Sequence, residues 1–171
     1  MWVKEFQNLD ELRKFIVDNL YYDEEKGYTF LKLFSGMDIA DAPSIAGDPD
    51  YQDIESSPQQ ITEYVALIDH PEKGKKDFNK ITLRLIAYNK APLKSILLHT
   101  VYFDTGEYAK VHRDFVVSLL KSILEKFDKP LKKSLGVGKS MLKYQVGYSE
   151  LYIWQKFDGL RIQIKNKSTK V

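Results

Sequence analysis

The sequence predicts an α+β protein, a mostly antiparallel sheet with a long helix packed on one face. Three observations carry that prediction. Apolar residues recur at helical spacing from Thr105 to Phe127; they alternate with polar ones between turn residues from Met141 to Asn166; and Ile81–Phe103 reads as two further strands around Asn89-Lys90-Ala91-Pro92.

Taken in order, Trp2–Phe6 reads as a short strand, followed by a helix that Asn8 caps. Its apolar face is Leu9, Leu12, Phe15, Ile16 and Leu20, with Asp10 and Glu11 in the first turn, where the helix dipole favours them. A charged turn, Asp23–Gly27, leads to a strand over Tyr28–Phe34. From Ser35 to Pro58 three prolines, two glycines, four serines and five aspartates leave no sustained period. This predicts a long acidic loop with one short helix near Met37–Asp41, and loops of this length often carry function.

Ile61–Ile68 fits both periods and is read as a strand on its β-branched content, with a lysine-rich turn around Gly74 after it. Asp104, with Glu107 three residues on, makes a capping box for the helix, and Pro130 stops it. Val111, Phe115, Leu119, Leu120, Ile123, Leu124 and Phe127 form its apolar stripe. A basic connection, Lys129–Lys139, leads to strands at Met141–Gly147, Glu150–Phe157 and Leu160–Asn166, then a frayed tail over 167–171. The two halves share an order of strand, helix and three strands, a pseudo-repeat of pattern without residue-level repetition. At 171 residues and 43% hydrophobic content the expectation is a single domain over 1–171.

Composition excludes several classes of function. With no cysteine there is no disulfide, thiolate metal site or cysteine nucleophile. No apolar run approaches the ~20 residues of a membrane-spanning helix, so a cytoplasmic protein with no membrane partner is expected. No motif calls for a cofactor or a metal. Gly136-Val137-Gly138-Lys139-Ser140 lacks the leading glycine of a phosphate loop, because Lys133 stands there.

The formal net charge of +2 conceals a strong asymmetry. Residues 1–72 hold 16 acidic and 5 basic side chains, a net of −11, whereas 73–171 hold 8 and 21, a net of +13. Between Lys32 and Lys73 there is no Lys or Arg at all. Such segregation points to a charged partner, or to two halves that neutralise one another.

The positive half has a candidate site. Asp158-Gly159 reads as a two-residue hairpin turn, which sets Phe157 opposite Leu160, Gln155 opposite Ile162 and Ile153 opposite Ile164 on a core face. The other face then pairs Lys156 with Arg161, Trp154 with Gln163 and Tyr152 with Lys165. A tight turn at Tyr148-Ser149 adds Lys143 beside Trp154 and Gln145 beside Tyr152, and sends Tyr144 and Val146 to the core. Rings interleaved with cations suit single-stranded nucleic acid, whose bases stack and whose phosphates need countercharge. A competing reading makes Trp154 and Tyr152 a small satellite core beneath the acidic loop.

Two other functions stand beside a non-catalytic nucleic-acid-binding protein. As a protein-interaction or inhibitor protein, the chain would dock its acidic stretch from Asp38 to Glu72, with Asp38, Asp41, Asp48, Asp50, Asp53 and Glu55, on a basic partner; the spacing of Asp48, Asp50, Asp53 and Glu55 does not match a calcium loop. A small hydrolase or ligand-binding domain would need His99, Asp104 and His112 to converge, whereas His99 alone, with Leu97, Val101 and Phe103 on its face, reads as a buried structural histidine.

Overall fold

The computed structural model describes the backbone of residues 1–55, 58–68, 79–101, 107–135, 140–156 and 159–167, and their side chains except at 79, 100–101, 107–112 and 156. It is α+β, with one large, mostly antiparallel sheet.

The N-terminal strand is only β1 (Glu5–Phe6), because Trp2 is engaged elsewhere: its backbone N–H donates to the Ala46 carbonyl and its indole N–H to that of Val65. Helix α1 (Leu9–Asp18) starts at Asn8, whose Oδ1 accepts the Glu11 N–H at 2.9 Å. The helix stops before Leu20, which begins β2 (Leu20–Asp23) yet stays fully buried. The single strand expected over 28–34 is two, β3 (Gly27–Phe30) and β4 (Leu33–Phe34). Leu31 and Lys32 have φ of 52° and 65°, so the chain folds back there, and β2, β3 and β4 form a separate three-stranded sheet.

The acidic segment holds the short helix expected near Met37–Asp41 and more order than its composition suggests. It contains a 3-10 turn (Ile39–Asp41), helix α2 (Ala42–Ala46) and strand β5 (Tyr51–Asp53). The short polar residues that erase its periodicity are the ones that bond the nearby backbone. Asp38 accepts the Ala40 N–H, and Asp50 accepts the Val65 N–H at 2.7 Å, while Ile39, Ala42 and Ala46 are buried.

The remaining elements are β6 (Gln59–Ile68), β7 (Asn79–Tyr88), β8 (Ser95–Val101), α3 (Glu107–Lys126), β9 (Lys132–Ser134), β10 (Met141–Val146), β11 (Ser149–Lys156) and β12 (Gly159–Asn166). Strand β9 lies inside what reads in sequence as a basic connection. The large sheet runs β1-β6-β7-β8-β12-β11-β10-β9, with β5 also on β6, and every pairing but β1–β6 is antiparallel. Of the strands after α1, β2–β4 form their own sheet while β5–β8 join those after α3 in the large one, so the expected repeat of strand, helix and three strands is not found among the described residues. The Asp104 cap, the turn around Gly74 and Gly136–Lys139 lie outside the described residues.

Strand β6 shows how the faces separate: Gln60, Thr62, Tyr64, Ala66 and Ile68 are buried and the residues between them are not. Onto that buried face pack α1, α3 and the small sheet. Phe115, Val116, Leu119, Leu120 and Ile123 of α3 share one apolar core with Leu83, Leu98, Ile153 and Ile162 of the sheet. Tyr144 closes its end, donating its hydroxyl to the Phe127 carbonyl at 2.5 Å. Burial raises the phenol pKa of Tyr28, Tyr64 and Tyr144 to about 12. Val146, expected in the core, is 46% exposed, because it sits at the mouth of the β10–β11 turn.

Candidate functional site

The opposite face of the large sheet carries no helix or second sheet among the described residues. Of its described side chains on β6–β8 and β10–β12, all but Glu150 reach solvent. Lys143, Gln145, Tyr152, Trp154, Arg161, Gln163 and Lys165 all lie here. Lys156 holds the matching register position opposite Gly159, and its side chain lies outside the described residues.

Their pairing differs from the expected one. Strand β11 meets β12 with Trp154 opposite Arg161, Tyr152 opposite Gln163 and Glu150 opposite Lys165. On its other side β11 meets β10 with Met141 beside Trp154, Lys143 beside Tyr152 and Gln145 beside Glu150. Each register is displaced by two residues along the partner strand, and since side chains alternate with period two, every residue keeps its face. Physical reasons favour these registers. At the first hairpin, the expected register opposes Lys156 to Arg161, a like-charge pair; the observed one sets Glu150 against Lys165, and Ile153 and Leu151 against Ile162 and Ile164. At the second, Gly147 has φ of 60°, which glycine tolerates, so the turn forms at Gly147-Tyr148 instead of Tyr148-Ser149.

The rings of Tyr152 and Trp154 stack on one another, with centroids 4.3 Å apart and planes 16° from parallel. As residues i and i+2 of one strand they stand on the same face and lean together. Cations surround them. Arg161 is cross-strand to Trp154 and Lys143 to Tyr152, with Lys165 one row on and Lys132 beside Lys143. One carboxylate interrupts: Glu150, its side chain 7% exposed, lies 3.9 Å from the Lys143 ammonium. Sequence reasoning missed Glu150, although its parity with Tyr152 and Trp154 already assigns it to this face. Gln163 is held by its amide, which donates to Ser95 Oγ at 3.0 Å, and the Gln145 amide donates to the Gly147 carbonyl.

The described residues of the acidic segment do not cover these rings. Its β5 pairs with β6, and both β7 and β8 intervene before β12. Much of its charge is used within the fold: Asp38 caps the 3-10 turn, and Asp50 holds β6 and lies 3.9 Å from Lys4. The Asp41 carbonyl accepts the Ser44 hydroxyl. Asp48 and Glu55 are exposed, and Tyr51, Gln52, Asp53, Ile54 and Glu55 line an open depression.

His99 is not the buried histidine its neighbours suggest. Ile96 and Leu98 take the core side of β8, so His99 lies half-buried on the open face, cross-strand from Arg161 and Thr82. Helix α3, which carries His112, packs on the other face, and Asp104 lies outside the described residues. Among the described residues no three His, Asp or Glu side chains are grouped to hold a metal ion, and no helix is long and apolar enough to cross a membrane. Comparison with protein-family models, with curated proteins and with solved structures finds no match for this chain.

Proposed function

We propose that this is a non-catalytic binding protein whose open sheet face over β10–β12 takes single-stranded nucleic acid. The observation that carries the reading is the solvent-reaching Tyr152–Trp154 stack, flanked by Arg161, Lys143 and Lys165. Base stacking on an aromatic ring contributes about 1–3 kcal/mol per base, and it tolerates any sequence because every base has a π-face. The cations on neighbouring strands supply the sequence-independent attraction to phosphates.

The test is fluorescence anisotropy of labelled single-stranded DNA and RNA at low salt. Trp154→Ala is expected to weaken binding about 5- to 150-fold, the equivalent of one lost stacking contact. A protein that binds neither strand at low salt, or binds equally well with Trp154→Ala and Arg161→Gln combined, would remove this reading.

A second reading, a basic protein docking on the acidic end of the sheet, draws on Asp53, Glu55 and the 52%-exposed Tyr51 at that depression. Unchanged partner recovery by a variant with Asp53→Lys and Glu55→Lys would dismiss it.

A further inference from the structure

The rings of the open face are not confined to β10–β12. Tyr88, the last residue of β7, has the parity of Thr82, Arg84 and Ile86, so it stands on the same face, 43% exposed. It is held from two directions. The Gln59 amide donates to its hydroxyl at 3.2 Å, and the Lys94 ammonium lies 5.4 Å from the centroid of its ring. A solvent-reaching ring with a cation beside it is the pairing that Tyr152 makes with Lys143. The exposed Lys80, at the far end of β7, sits between Leu67 and Val101 and has no ring across from it.

The registers give the separation of the two ring sites. Tyr152 pairs with Gln163, Gln163 with Leu97 and Leu97 with Arg84, so the row through Tyr152 meets β7 four residues before Tyr88. Strands β11 and β7 are three spacings apart, ~14 Å, and four residues along a strand add ~13 Å at right angles. The line joining the rings is therefore about 20 Å long. It crosses the outer positions of β12 and β8, Gln163, Lys165, Leu97 and Ser95, none of them a carboxylate. The flanking carboxylates each have a cation close by: Glu150 lies 3.9 Å from Lys143, and Glu63 accepts from Arg84 Nε at 2.7 Å. Exposed Lys165 along the line and Lys94 at its end supply countercharge for phosphates. Past β7 the sheet leads through β6 to Asp53 on β5, so the path ends at Tyr88.

We infer, building on the nucleic-acid reading above, that Tyr88 with Lys94 is a second stacking site for the same strand, which runs obliquely over β11, β12, β8 and β7. A stacked strand advances 3.4 Å per nucleotide, so about six steps link the two sites, and an unstacked strand needs fewer. Each of the two steps in a trinucleotide would have to cover about 10 Å, roughly three times that advance, so a trinucleotide reaches one site only. A longer strand held at one site engages the other intramolecularly, and the protein thereby favours single-stranded segments long enough to bridge both.

Oligothymidylates of three and ten nucleotides, titrated at several salt concentrations and followed by tryptophan quenching, test it. Tyr88→Ala is expected to weaken the ten-nucleotide complex about 5- to 150-fold, the loss of one stacking contact, and to change the three-nucleotide complex by no more than about twofold. Tyr88→Phe keeps the ring and drops the hydroxyl, so it should hold the ten-nucleotide affinity within about twofold of the native value. Lys94→Gln should make the slope of log K against log salt shallower by about 0.7 for ten nucleotides and leave it unchanged for three. A ten-nucleotide affinity that Tyr88→Ala does not move, or an equal loss at both lengths, would overturn the second site while leaving nucleic-acid binding at Trp154 intact. Failure of both lengths to bind at low salt would overturn both readings.

Discussion

Replacing Glu150 by glutamine removes the one buried carboxylate among the described residues of the candidate face while keeping its size and shape. In the native protein this group lies 3.9 Å from Lys143 with its side chain 7% exposed. At an effective dielectric near 20 their gross attraction is about 4 kcal/mol, most of it offset by the cost of desolvating the carboxylate. The net effect of Glu150→Gln on folding is therefore expected within about 1 kcal/mol, because the group left unpaired is the partly exposed lysine. Binding should change more. Lys143, released from its carboxylate, meets one further phosphate, steepening the salt slope by about 0.7; at 0.1 M salt that is a gain of about fivefold in affinity for a single strand. Anisotropy titrations between 50 and 200 mM salt, paired with thermal melts, measure both quantities. A folded Glu150→Gln variant with unchanged slope and equal or weaker affinity would show that the cations of this face do not meet phosphates.

Two further expectations concern the fold. Tyr28, Tyr64 and Tyr144 have phenol pKa values raised by burial to about 12 from an ordinary value of 10. The unfolded chain then loses those protons first as pH rises, so stability is full below about pH 10 and falls toward pH 12, by up to about 3 kcal/mol per tyrosine. Urea melts across that window with tyrosinate absorbance check it, and all eleven tyrosines titrating together near pH 10 in the folded protein would contradict it. At Gly27, φ is 78° and an added Cβ would fall 2.3 Å from Ser149 Oγ, which accepts the Tyr28 N–H. Gly27→Ala should cost more than about 1 kcal/mol, and Ser149→Gly in the same chain should recover part of that loss, a non-additivity that a double-mutant cycle reads directly. A neutral Gly27→Ala would refute the contact.

Legibility followed the range of the interactions. The strands at 61–68, 81–88, 141–147 and 160–166 were readable because burial on one face imposes a local alternation, and β6 shows it residue by residue. Beyond the short helix near Met37–Asp41, the acidic segment was unreadable because its order comes from distant partners: Asp50 bonds Val65, Tyr64 bonds Gly47, and Trp2 bonds Ala46. Strand β9 was hidden for the same reason. Its three exposed residues carry no apolar signal, and only pairing with β10 makes them a strand.

For the candidate site the division is sharper. Local alternation by itself determined that Lys143, Gln145, Tyr152, Trp154, Arg161, Gln163 and Lys165 share one face, since any displacement by two residues leaves parity untouched. Which of them meet was decided only by tertiary structure. The two hairpin registers depend on the turn positions and on apolar and charge pairs across neighbouring strands, and these bring Arg161 to Trp154, Lys143 to Tyr152, and Glu150 into the middle of the cations. The strand order likewise separates the acidic and basic ends of the chain by β7 and β8. The segregation of charge is written in the sequence; that the described acidic residues sit apart from the basic face follows from which ends of the sheet the two segments occupy.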